Sequence, residues 1–463
     1  MFKWRRAGVF CLGILIVLLL AGFFLLYKPD ENIQDVLRVN SWKDVEHFYR
    51  QAIPGIQRAK ELGLVTSIGK SFHVPGHKGK LTIDSIWYNK KEPIILYHMD
   101  QINKPVYLAG DLFLPGDEKE DVTEFWGIGS VGFQHYHGVF FNDSFYSCLR
   151  IPALKDAEAR VITDIPVVIY KPYLLLEYDG KINKPGEGYG FKEIQISLEY
   201  NSDDERIDKH RLNKEINIGN GKMKFYQLDI GVSENRLYFL FNNRDKDMVY
   251  RLEGKIISDK EEVREVDQYV YVIKGYPYHY SISFEPFNTV PGEIFLELDS
   301  MYLIGNDELT FSLDPKQYKE KKTEKGPRLL KTVRNTDILL ENIERMKEEL
   351  TFQLSYSPTG KLSPNDPLLW WETPIDEGQK EQYERVYGAH YPLGNVVSVR
   401  NRDLEKSYVR DLGARQKIDG SRISLSLPFR YINPSDEIDI TISNLTYRWP
   451  LDEKIPMEIR IPE

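Results

Sequence analysis

Hydrophobic positions along the chain follow two patterns, which predict two kinds of element. From residue 7 to residue 27 the chain reads AGVFCLGILIVLLLAGFFLLY, without a charged side chain. A helix needs about 20 such residues to cross the roughly 30 Å of hydrocarbon in a bilayer. After residue 72, apolar residues instead occur in short alternating runs separated by glycine, proline, asparagine and aspartate, which is typical of β-strands. The pattern predicts one transmembrane helix followed by a mainly β chain.

Charges beside residues 7–27 predict the orientation of this helix. Basic side chains precede it in the sequence MFKWRR, whereas acidic ones follow Lys28. Because cytoplasmic flanks carry the excess of lysine and arginine, residues 1–6 are expected to form a cytoplasmic tail. A cleavable signal peptide, the alternative, has a shorter apolar core and a small-residue cleavage site, which this segment does not offer. We expect a single-pass protein of the cell membrane whose bulk is extracytoplasmic.

Residues 28–71 are predicted to contain a spacer and short juxtamembrane helices. Ser41 and Asp44 have the spacing of a capping box at the start of the first helix. The second helix is expected over residues 54–62, with Gly63 ending it. These amphipathic helices are expected to pack on the first outer domain, with attachment to the membrane surface as the alternative.

Three gap-free repeats within the β region predict the same hairpin three times. They read LTIDSIWYNKKEPIILYHM from Leu81, MKFYQLDIGVSENRLYFLF from Met223 and TDILLENIERMKEELTFQL from Thr336. Each consists of an apolar strand, a polar turn and a second apolar strand, with apolar residues at matching positions. The third copy alone would also suit a helix, but its alignment with the other two favours a hairpin.

A second recurring element predicts how the β region divides into domains. It consists of Pro-Phe followed by alternating apolar residues, and it begins at Pro286 and at Pro428, with a weaker equivalent at 191–200. Together the repeats predict three tandem immunoglobulin-like β-sandwiches. Their expected boundaries are 72–200, 211–314 and 327–463, with an insertion near 358–395 and a charged linker at 316–325. On this division, residues 327–463 should fold alone.

Composition narrows the partners and the compartment. The formal net charge is −9, which argues against nucleic acid as a partner. The two cysteines are Cys11, within the predicted span, and Cys148, so the outer region can form no internal disulfide. An exported chain of this length without disulfides suits a bacterial envelope.

Parts of the chain resemble a known protein family. The runs FYRQAIPGIQRAKELGLVTSIGKSF and GKLTIDSIWYNKKEPIILYHM resemble the juxtamembrane helix and first sandwich of an uncharacterised membrane-anchored family of low-GC Gram-positive bacteria. The run HRLNKEINIGNGKMKFYQLDIGVSENRLYFLF resembles the immunoglobulin-like domain that follows there, and together the runs cover residues 45–313. This family is related to the outer regions of anti-sigma-factor-like proteins. Only MFKWRR stands where members often carry a cytoplasmic anti-sigma-factor domain, so that role is not implied.

Two motifs resemble catalytic signatures but lack the required context. Residues 127–132 spell G-x-G-x-x-G, yet a strand-like run follows where dinucleotide binding needs a helix. Residues 67–70 spell the S-x-x-K of penicillin-recognising enzymes, yet the S-D-N and K-T-G elements are missing. The sequence therefore predicts no cofactor and no catalytic residues.

Histidines and acidic residues offer a weak metal-site hypothesis. The histidines that could converge are His73, His77, His135 and His137. Because residues two apart in a strand share a face, His135 and His137 could chelate zinc or copper together. Exposed polar positions are the expected alternative, and the acidic loop at 117–124 lacks the spacing of a calcium loop. We predict no metal site.

Aromatic residues of the insertion are the predicted interaction surface. They are Trp370, Trp371, Tyr383 and Tyr387, with Tyr391 close by. Solvent-facing rings at these positions could form a stacking platform for a wall sugar or a hot spot for a partner. The favoured alternative is that they pack the insertion onto its sandwich.

The function predicted from these observations is non-enzymatic. No set of polar residues forms a recognisable nucleophile, base and orienting group. We expect a role in binding, sensing or scaffolding at the cell envelope, with an envelope protein or a cell-wall polymer as partner in addition to the membrane that its own span crosses. The alternative is a cell-wall carbohydrate-binding protein or a wall-directed hydrolase.

Overall fold

The fold is described from a computed structural model, in which the chain divides into two compact units, Met1–Asp204 and Glu205–Glu463. The residues described are 36–74, 78–89, 91–102, 107–113, 123–125, 138–150, 164–175, 189–190, 194–199, 206–273, 275–318, 323–334, 336–345, 349–360, 368–371, 395–401, 404–409, 413–416, 421–432 and 437–458. Most of them lie in antiparallel β-sheets, so the predicted mainly β class is correct.

The membrane part of the predicted fold class and location requires correction. Within the described ranges there are two α-helices, and neither is long and apolar enough to cross a membrane. The structure thus supports a mainly β chain with two short helices and does not support a single-pass membrane protein. Residues 7–27, on which that prediction rested, lie outside the described residues.

Unit 1 begins with the two helices expected from the capping pattern. Helix α1 spans Trp42–Ala52, and Ser41 and Asp44 form the predicted capping box with reciprocal side-chain to backbone hydrogen bonds. Helix α2 spans Ile56–Glu61 and begins after Gly55, whose φ of 83° is left-handed. The buried positions of α1 recur at helical spacing and turn toward the sheet below.

Two sheets make up the rest of unit 1. Their strands are β1 Val36–Arg38, β2 Thr66–His73, β3 Lys80–Tyr88, β4 Pro93–Met99, β5 Tyr107–Phe113, β6 Thr123–Phe125, β7 Gly138–Phe141, β8 Ser144–Arg150, β9 Asp164–Leu175, β10 Tyr189–Gly190 and β11 Ile194–Glu199. The first sheet has the order β1-β7-β8-β4-β3-β2, with β1 parallel to β7 and α1 packed on β7 and β8. The second has the order β10-β9-β5-β6, with β11 also on β9. A hydrogen bond from the Leu108 backbone N–H to the Tyr97 hydroxyl joins the sheets.

Unit 2 contains two β-sandwiches, of which the central sandwich comes first. Its strands are β12 Asp208–Ile218, β13 Gly221–Ile230, β14 Asn235–Asn243, β15 Met248–Ser258, β16 Val263–Tyr269, β17 Tyr271–Val272, β18 His279–Phe284 and β19 Glu293–Ile304. One sheet has the order β12-β13-β14-β18-β17, and β16-β15-β19 begins the other. Alternate residues of β13 and β14, among them Phe225 and Phe239, are fully buried between the sheets.

The C-terminal sandwich follows. The remaining strands are β20 Leu309–Leu313, β21 Thr323–Val333, β22 Thr336–Arg345, β23 Glu349–Pro358, β24 Leu368–Leu369, β25 Val396–Asn401, β26 Leu404–Tyr408, β27 Gly413–Gln416, β28 Arg422–Pro428, β29 Ile438–Ser443 and β30 Thr446–Glu458. Its sheets have the orders β20-β29-β25-β26 and β21-β22-β23-β28-β27, and Phe311 of one contacts Phe352 of the other. The predicted linker is partly structured, since β21 begins at Thr323.

The two sandwiches share strands across the predicted boundary between 314 and 327. Strand β20 precedes that boundary but pairs with β29 in the C-terminal sandwich. Strand β30, at the far end of the described chain, returns to pair with β19 along the central sandwich, and β24 adds to its other side. The division into three domains stays a prediction, and unit 2 is built as one connected body.

All three repeats form the predicted antiparallel hairpins. They are β3–β4, β13–β14 and β22–β23, so the third copy is a hairpin and not a helix. In the first two copies a β-bulge falls at the same aligned position, Asp84 and Tyr226. Because a bulge turns its side chain away from the regular alternation, these two positions are directed differently from their neighbours.

Candidate interaction surface

The predicted surface around the insertion is largely occupied by the protein itself. Trp371 is 1% exposed within the core of unit 2, so it offers no surface to a ligand. Trp370 is half-buried after β24, where its backbone N–H donates to the Thr446 carbonyl. Tyr383 and Tyr387 lie outside the described residues. For the two tryptophans the structure matches the packing alternative.

Trp370 ends a stack of alternating rings and guanidinium groups on the outer side of the central sandwich. Its indole meets the Tyr302 ring edge-on at 5.4 Å, and the Arg448 guanidinium lies 5.6 Å from the indole centroid. Arg251 covers Tyr302 at 4.9 Å and pairs with Glu253. Burial, together with the Glu253 carboxylate, raises the pKa of the Tyr302 hydroxyl, so it remains protonated. These contacts hold β24 against β30 through cation–π packing.

The remaining sequence motifs do not form a site among the described residues. Ser67 and Lys70 lie on either side of a bulge in the exposed edge strand β2, and the Lys70 ammonium lies over the Phe72 ring. His73 is exposed at the end of β2, whereas the other three candidate histidines and residues 127–132 lie outside the described part. No group of metal-binding side chains is present within the part that is described.

A cluster of aromatic residues, of which Tyr271 and Tyr276 are exposed and the others half-buried, instead lies on the outer side of the central sandwich sheet β12-β13-β14-β18-β17. We call it the tyrosine face, and its members are Tyr226, Tyr238, Tyr271, Tyr276 and His279. Strand alternation places it there, because Phe225 and Phe239 point inward and their neighbours point outward. Tyr238 and Tyr271 flank Ser281 in adjacent strands, so their side chains share this side of the sheet.

Ring contacts connect the members of the tyrosine face. The ring centroids of Tyr226 and Tyr238 are 6.1 Å apart, with an angle of 42° between the ring planes. The centroids of Tyr226 and His279 are 5.6 Å apart, with an angle of 65°. The ring centroids of Tyr276 and His279 are 5.7 Å apart, with an interplanar angle of 59°. His279 Nδ1 also lies 3.4 Å from the Tyr226 hydroxyl. Because the rings are tilted toward one another, the face presents ring edges and hydroxyl groups and not a flat apolar plane.

Tyr276 projects from the tight connection between β17 and β18. The His279 N–H donates to the Tyr276 carbonyl, and the Ile273 N–H donates to the His279 carbonyl. Gly275 and Tyr278 both have positive φ, 82° and 63°. For a bulky residue such as Tyr278 this conformation is unfavourable, and such strain concentrates at functional sites. The result is a Tyr276 side chain that is 61% exposed on a hydrogen-bonded turn.

An acidic group fixes the other end of the tyrosine face. The Asp229 carboxylate accepts hydrogen bonds from the Tyr238 hydroxyl at 3.1 Å and from the Gln227 amide at 2.7 Å. Burial, followed by the Asp229 charge, raises the pKa of Tyr238, and burial alone raises that of Tyr226. Both hydroxyls therefore stay protonated at neutral pH. The Tyr238 hydroxyl donates its proton to Asp229, so toward a partner its oxygen acts as a hydrogen-bond acceptor.

Sequence reasoning missed the tyrosine face, although a signal for it was present. The second repeat shows outward-facing tyrosines at Tyr226 and Tyr238, and the segment YVIKGYPYH crowds aromatics around Gly275. Alternation indicates which of these residues point outward. It gives no indication that β14 lies beside β18, which follows it by more than thirty residues in the sequence.

Comparison with known proteins gives no family for this chain. No family model and no curated protein matches it. A solved structure described as a conserved domain protein from Bacillus anthracis is 10% identical, with 57% of this chain and 88% of that chain covered and a TM-score of 0.27. A cycloalternan-forming enzyme from Listeria monocytogenes, in complex with a pentasaccharide substrate, is 7% identical, with 77% of this chain and 29% of that chain covered and a TM-score of 0.14. Scores this low carry no argument about fold or function.

Proposed function

We propose that this chain is a non-enzymatic binding protein whose β-sandwiches hold the tyrosine face for a protein partner. The observation that carries the proposal is the joined cluster of rings on a rigid sheet, with Tyr276 61% exposed at its end. Tyrosine is favoured at protein interfaces because it supplies a large contact area with few rotatable bonds. A preformed cluster also loses little conformational entropy when a partner binds.

The ring geometry supports a protein partner over a cell-wall polymer. A saccharide stacks its flat face on an exposed ring, whereas the rings here stand at 42° to 65° to one another. Tilted rings that carry hydroxyl groups match the mixed apolar and hydrogen-bonding surface of a protein hot spot. Of the two partner classes predicted from sequence, we therefore favour a protein.

The sandwich architecture supports a scaffolding role and an immunoglobulin-like assignment. Both sandwiches of unit 2 pack two largely antiparallel sheets around a core of alternating apolar residues. The resemblance of residues 45–313 to outer domains of Gram-positive proteins implies the same organisation. Sandwiches of this kind commonly position binding surfaces, which is an analogy at the level of fold.

Site-specific photo-crosslinking tests the proposal. A benzophenone amino acid replaces Tyr276 in the full-length protein, and a matched one replaces Leu329, which is 55% exposed on the C-terminal sandwich. We expect a crosslinked protein at position 276 and not at 329, and we expect Tyr226→Ala to abolish it while the fold is kept. Equal crosslinking at both positions would contradict the proposal. Saccharide binding that Tyr276→Ala abolishes would favour the carbohydrate-binding alternative.

A further inference from the structure

A second cluster of aromatic and charged residues lies in unit 1, at the start of helix α1 and on the strands beneath it. We call it the Trp42 cluster, and its members are Trp42, Asp84, His98, Asp100, Phe141, Ser144 and Tyr146. It belongs to a different unit from the tyrosine face, and the reasoning for it does not rest on the proposed function.

Three rings form the aromatic half of the Trp42 cluster. The Trp42 indole contacts the Tyr146 ring edge-on, with 5.4 Å between the ring centroids. The centroid of the Phe141 ring lies 6.3 Å from that of Trp42. The capping box fixes the first turn of α1 and with it the position of Trp42. The indole nevertheless remains 47% exposed, whereas Val45 and Phe48 of the same helix are buried. A rigidly placed indole is therefore open to solvent at this point.

Two carboxylates around one imidazole form the other half. His98 stacks on Tyr146 at 5.1 Å, and its Nδ1 lies 2.8 Å and 3.0 Å from the two oxygens of Asp84. Its Nε2 lies 3.6 Å from Asp100 Oδ1, which also accepts a hydrogen bond from the Ser144 hydroxyl at 2.7 Å. Ser144 and Tyr146 are two residues apart on β8, so they share a side of the sheet and bring Asp100 beside the rings. Among the described residues, both side-chain contacts of Asp100 use Oδ1 and not Oδ2.

Among the described residues, the negative charge of the Trp42 cluster is only partly balanced. The side chains of Asp84 and Asp100 are 34% and 44% exposed, and within the described ranges neither pairs with a lysine or an arginine. Elsewhere the chain supplies such a cation, as Arg150 does for Glu92 and Arg334 for Asp247. Even a protonated His98 leaves one net negative charge, so the cluster attracts a cation and repels an anion.

We infer that the Trp42 cluster binds the guanidinium group of an arginine side chain presented by a basic peptide segment of a partner. A guanidinium is planar and always charged, so it can stack against the indole and Tyr146 while its N–H groups donate to Asp100 Oδ2. A lysine ammonium supplies the charge but not a planar group that stacks on a ring. The match in both charge and shape therefore selects arginine.

His98 couples this binding to pH. Burial of the imidazole lowers the pKa of His98, but the hydrogen bond and charge of Asp84 and the charge of Asp100 outweigh it, so the net pKa is raised above 6.5. Tyr146 of β8 faces the same ring and carries no charge at neutral pH. As the pH falls, the imidazolium adds a positive charge between the carboxylates and competes with the guanidinium. Affinity for arginine should decrease toward acid.

The test titrates the full-length protein with tetra-arginine, tetra-lysine and tetraglutamate peptides at low salt by calorimetry. We expect tetra-arginine to bind at least about threefold more tightly than tetra-lysine, and tetraglutamate not to bind. Asp100→Asn and Trp42→Ala should each weaken tetra-arginine binding about tenfold. Glu46→Gln, which removes an exposed charge from the same helix, is the matched control and should change the affinity less than about twofold.

Three results would overturn the inference. They are equal binding of tetra-arginine and tetra-lysine, equal weakening by Asp100→Asn and Glu46→Gln, and tetra-arginine affinity that does not fall from about pH 8 to pH 5. His98→Gln should remove most of that pH dependence while keeping a donor for Asp84. Because Asp100→Asn retains an oxygen acceptor for Ser144, its thermal unfolding should match that of the unmodified protein, which separates lost binding from lost folding.

Discussion

At the residue scale, one arginine connects both sandwiches of unit 2. The Arg334 guanidinium, in the turn between β21 and β22, donates two hydrogen bonds to Asp247 at 2.7 Å and 2.8 Å and another to Asp307 at 2.8 Å. It also lies 4.1 Å from the Tyr447 ring centroid, and the Tyr447 hydroxyl donates to Asp307. The Asp247 side chain is 2% exposed, so its charge depends on this partner.

Removing Arg334 should therefore destabilise unit 2 strongly. In Arg334→Ala the buried Asp247 carboxylate loses its cation, and we expect the free energy of unfolding to decrease by about 3–5 kcal/mol. The control is Arg422→Ala, since Arg422 pairs with Glu341 at the surface and is 45% exposed. Its expected cost is about 0–1 kcal/mol. Urea denaturation of both variants is followed by circular dichroism. Equal losses of unfolding free energy in Arg334→Ala and Arg422→Ala would show that Arg334 stabilises unit 2 no more than a surface ion pair does.

His98 should give unit 1 a pH-dependent stability. Because the folded-state pKa lies above the ordinary value of 6.5, the native state binds the proton more tightly than the unfolded chain. This stabilisation is fully present below pH 6.5 and is lost as the pH rises through the raised pKa. His98→Gln should make the urea midpoint of unfolding nearly independent of pH across this window. His47→Gln, at an exposed position of α1, should leave the pH dependence of the midpoint unchanged. A slope that survives in His98→Gln contradicts the assignment.

Single aromatic residues show where sequence reasoning ends at this scale. Trp370 and Trp371 are adjacent in the sequence, yet one is half-buried against Tyr302 and the other lies in the core. The sequence offered both as one interaction surface, with packing onto the sandwich as the alternative. It could not assign a side to each, because that depends on β24 pairing with β30, more than seventy positions away in the chain.

At the element scale, local patterns predicted the structure well. The capping box of α1 and the three hairpins each depend on residues within one short segment, so the sequence contains the relevant information. The bulges at Asp84 and Tyr226 were not predicted, because alternation alone does not specify an extra residue. Both bulged residues belong to the proposed binding surfaces, since Asp84 contacts His98 in the Trp42 cluster and Tyr226 contacts His279 on the tyrosine face.

The turn between β12 and β13 should be sensitive to a single methyl group. Gly219 has a φ of 52°, and a Cβ there would lie 1.8 Å from the Trp449 indole of β30. Gly219→Ala thus combines an unfavourable backbone with displacement of Trp449, and we expect a cost of about 2–4 kcal/mol. Gly275→Ala is the control, because its φ is 82° but nothing lies within 4 Å of the added carbon. Its expected cost is about 1–2 kcal/mol by the same chemical denaturation. Equal costs would show that Trp449 does not dock there.

At the scale of the whole molecule, sequence reasoning did not reveal which distant segments pair with each other. Linear boundaries at 314 and 327 treat the chain as consecutive domains, whereas β20 and β30 cross that boundary in opposite directions. The two pairings, β19 with β30 and β20 with β29, are directly connected. The Gly305 backbone N–H, between β19 and β20, donates to the Leu445 carbonyl, between β29 and β30. Such pairing depends on contacts more than a hundred residues apart, and no local periodicity encodes it.

Truncation at the predicted boundary tests how unit 2 is assembled. Residues 327–463, expected from sequence to fold alone, lack β20 as a partner for β29 and leave β30 without β19. The exposed edges and the lost apolar contacts should prevent a cooperative fold, and residues 205–314 should fail for the same reason. Residues 205–463 retain both pairings and should unfold in one cooperative transition that differential scanning calorimetry can record. Cooperative unfolding of 327–463 alone would show that the shared strands are dispensable, and the consecutive-domain division would then be the better description.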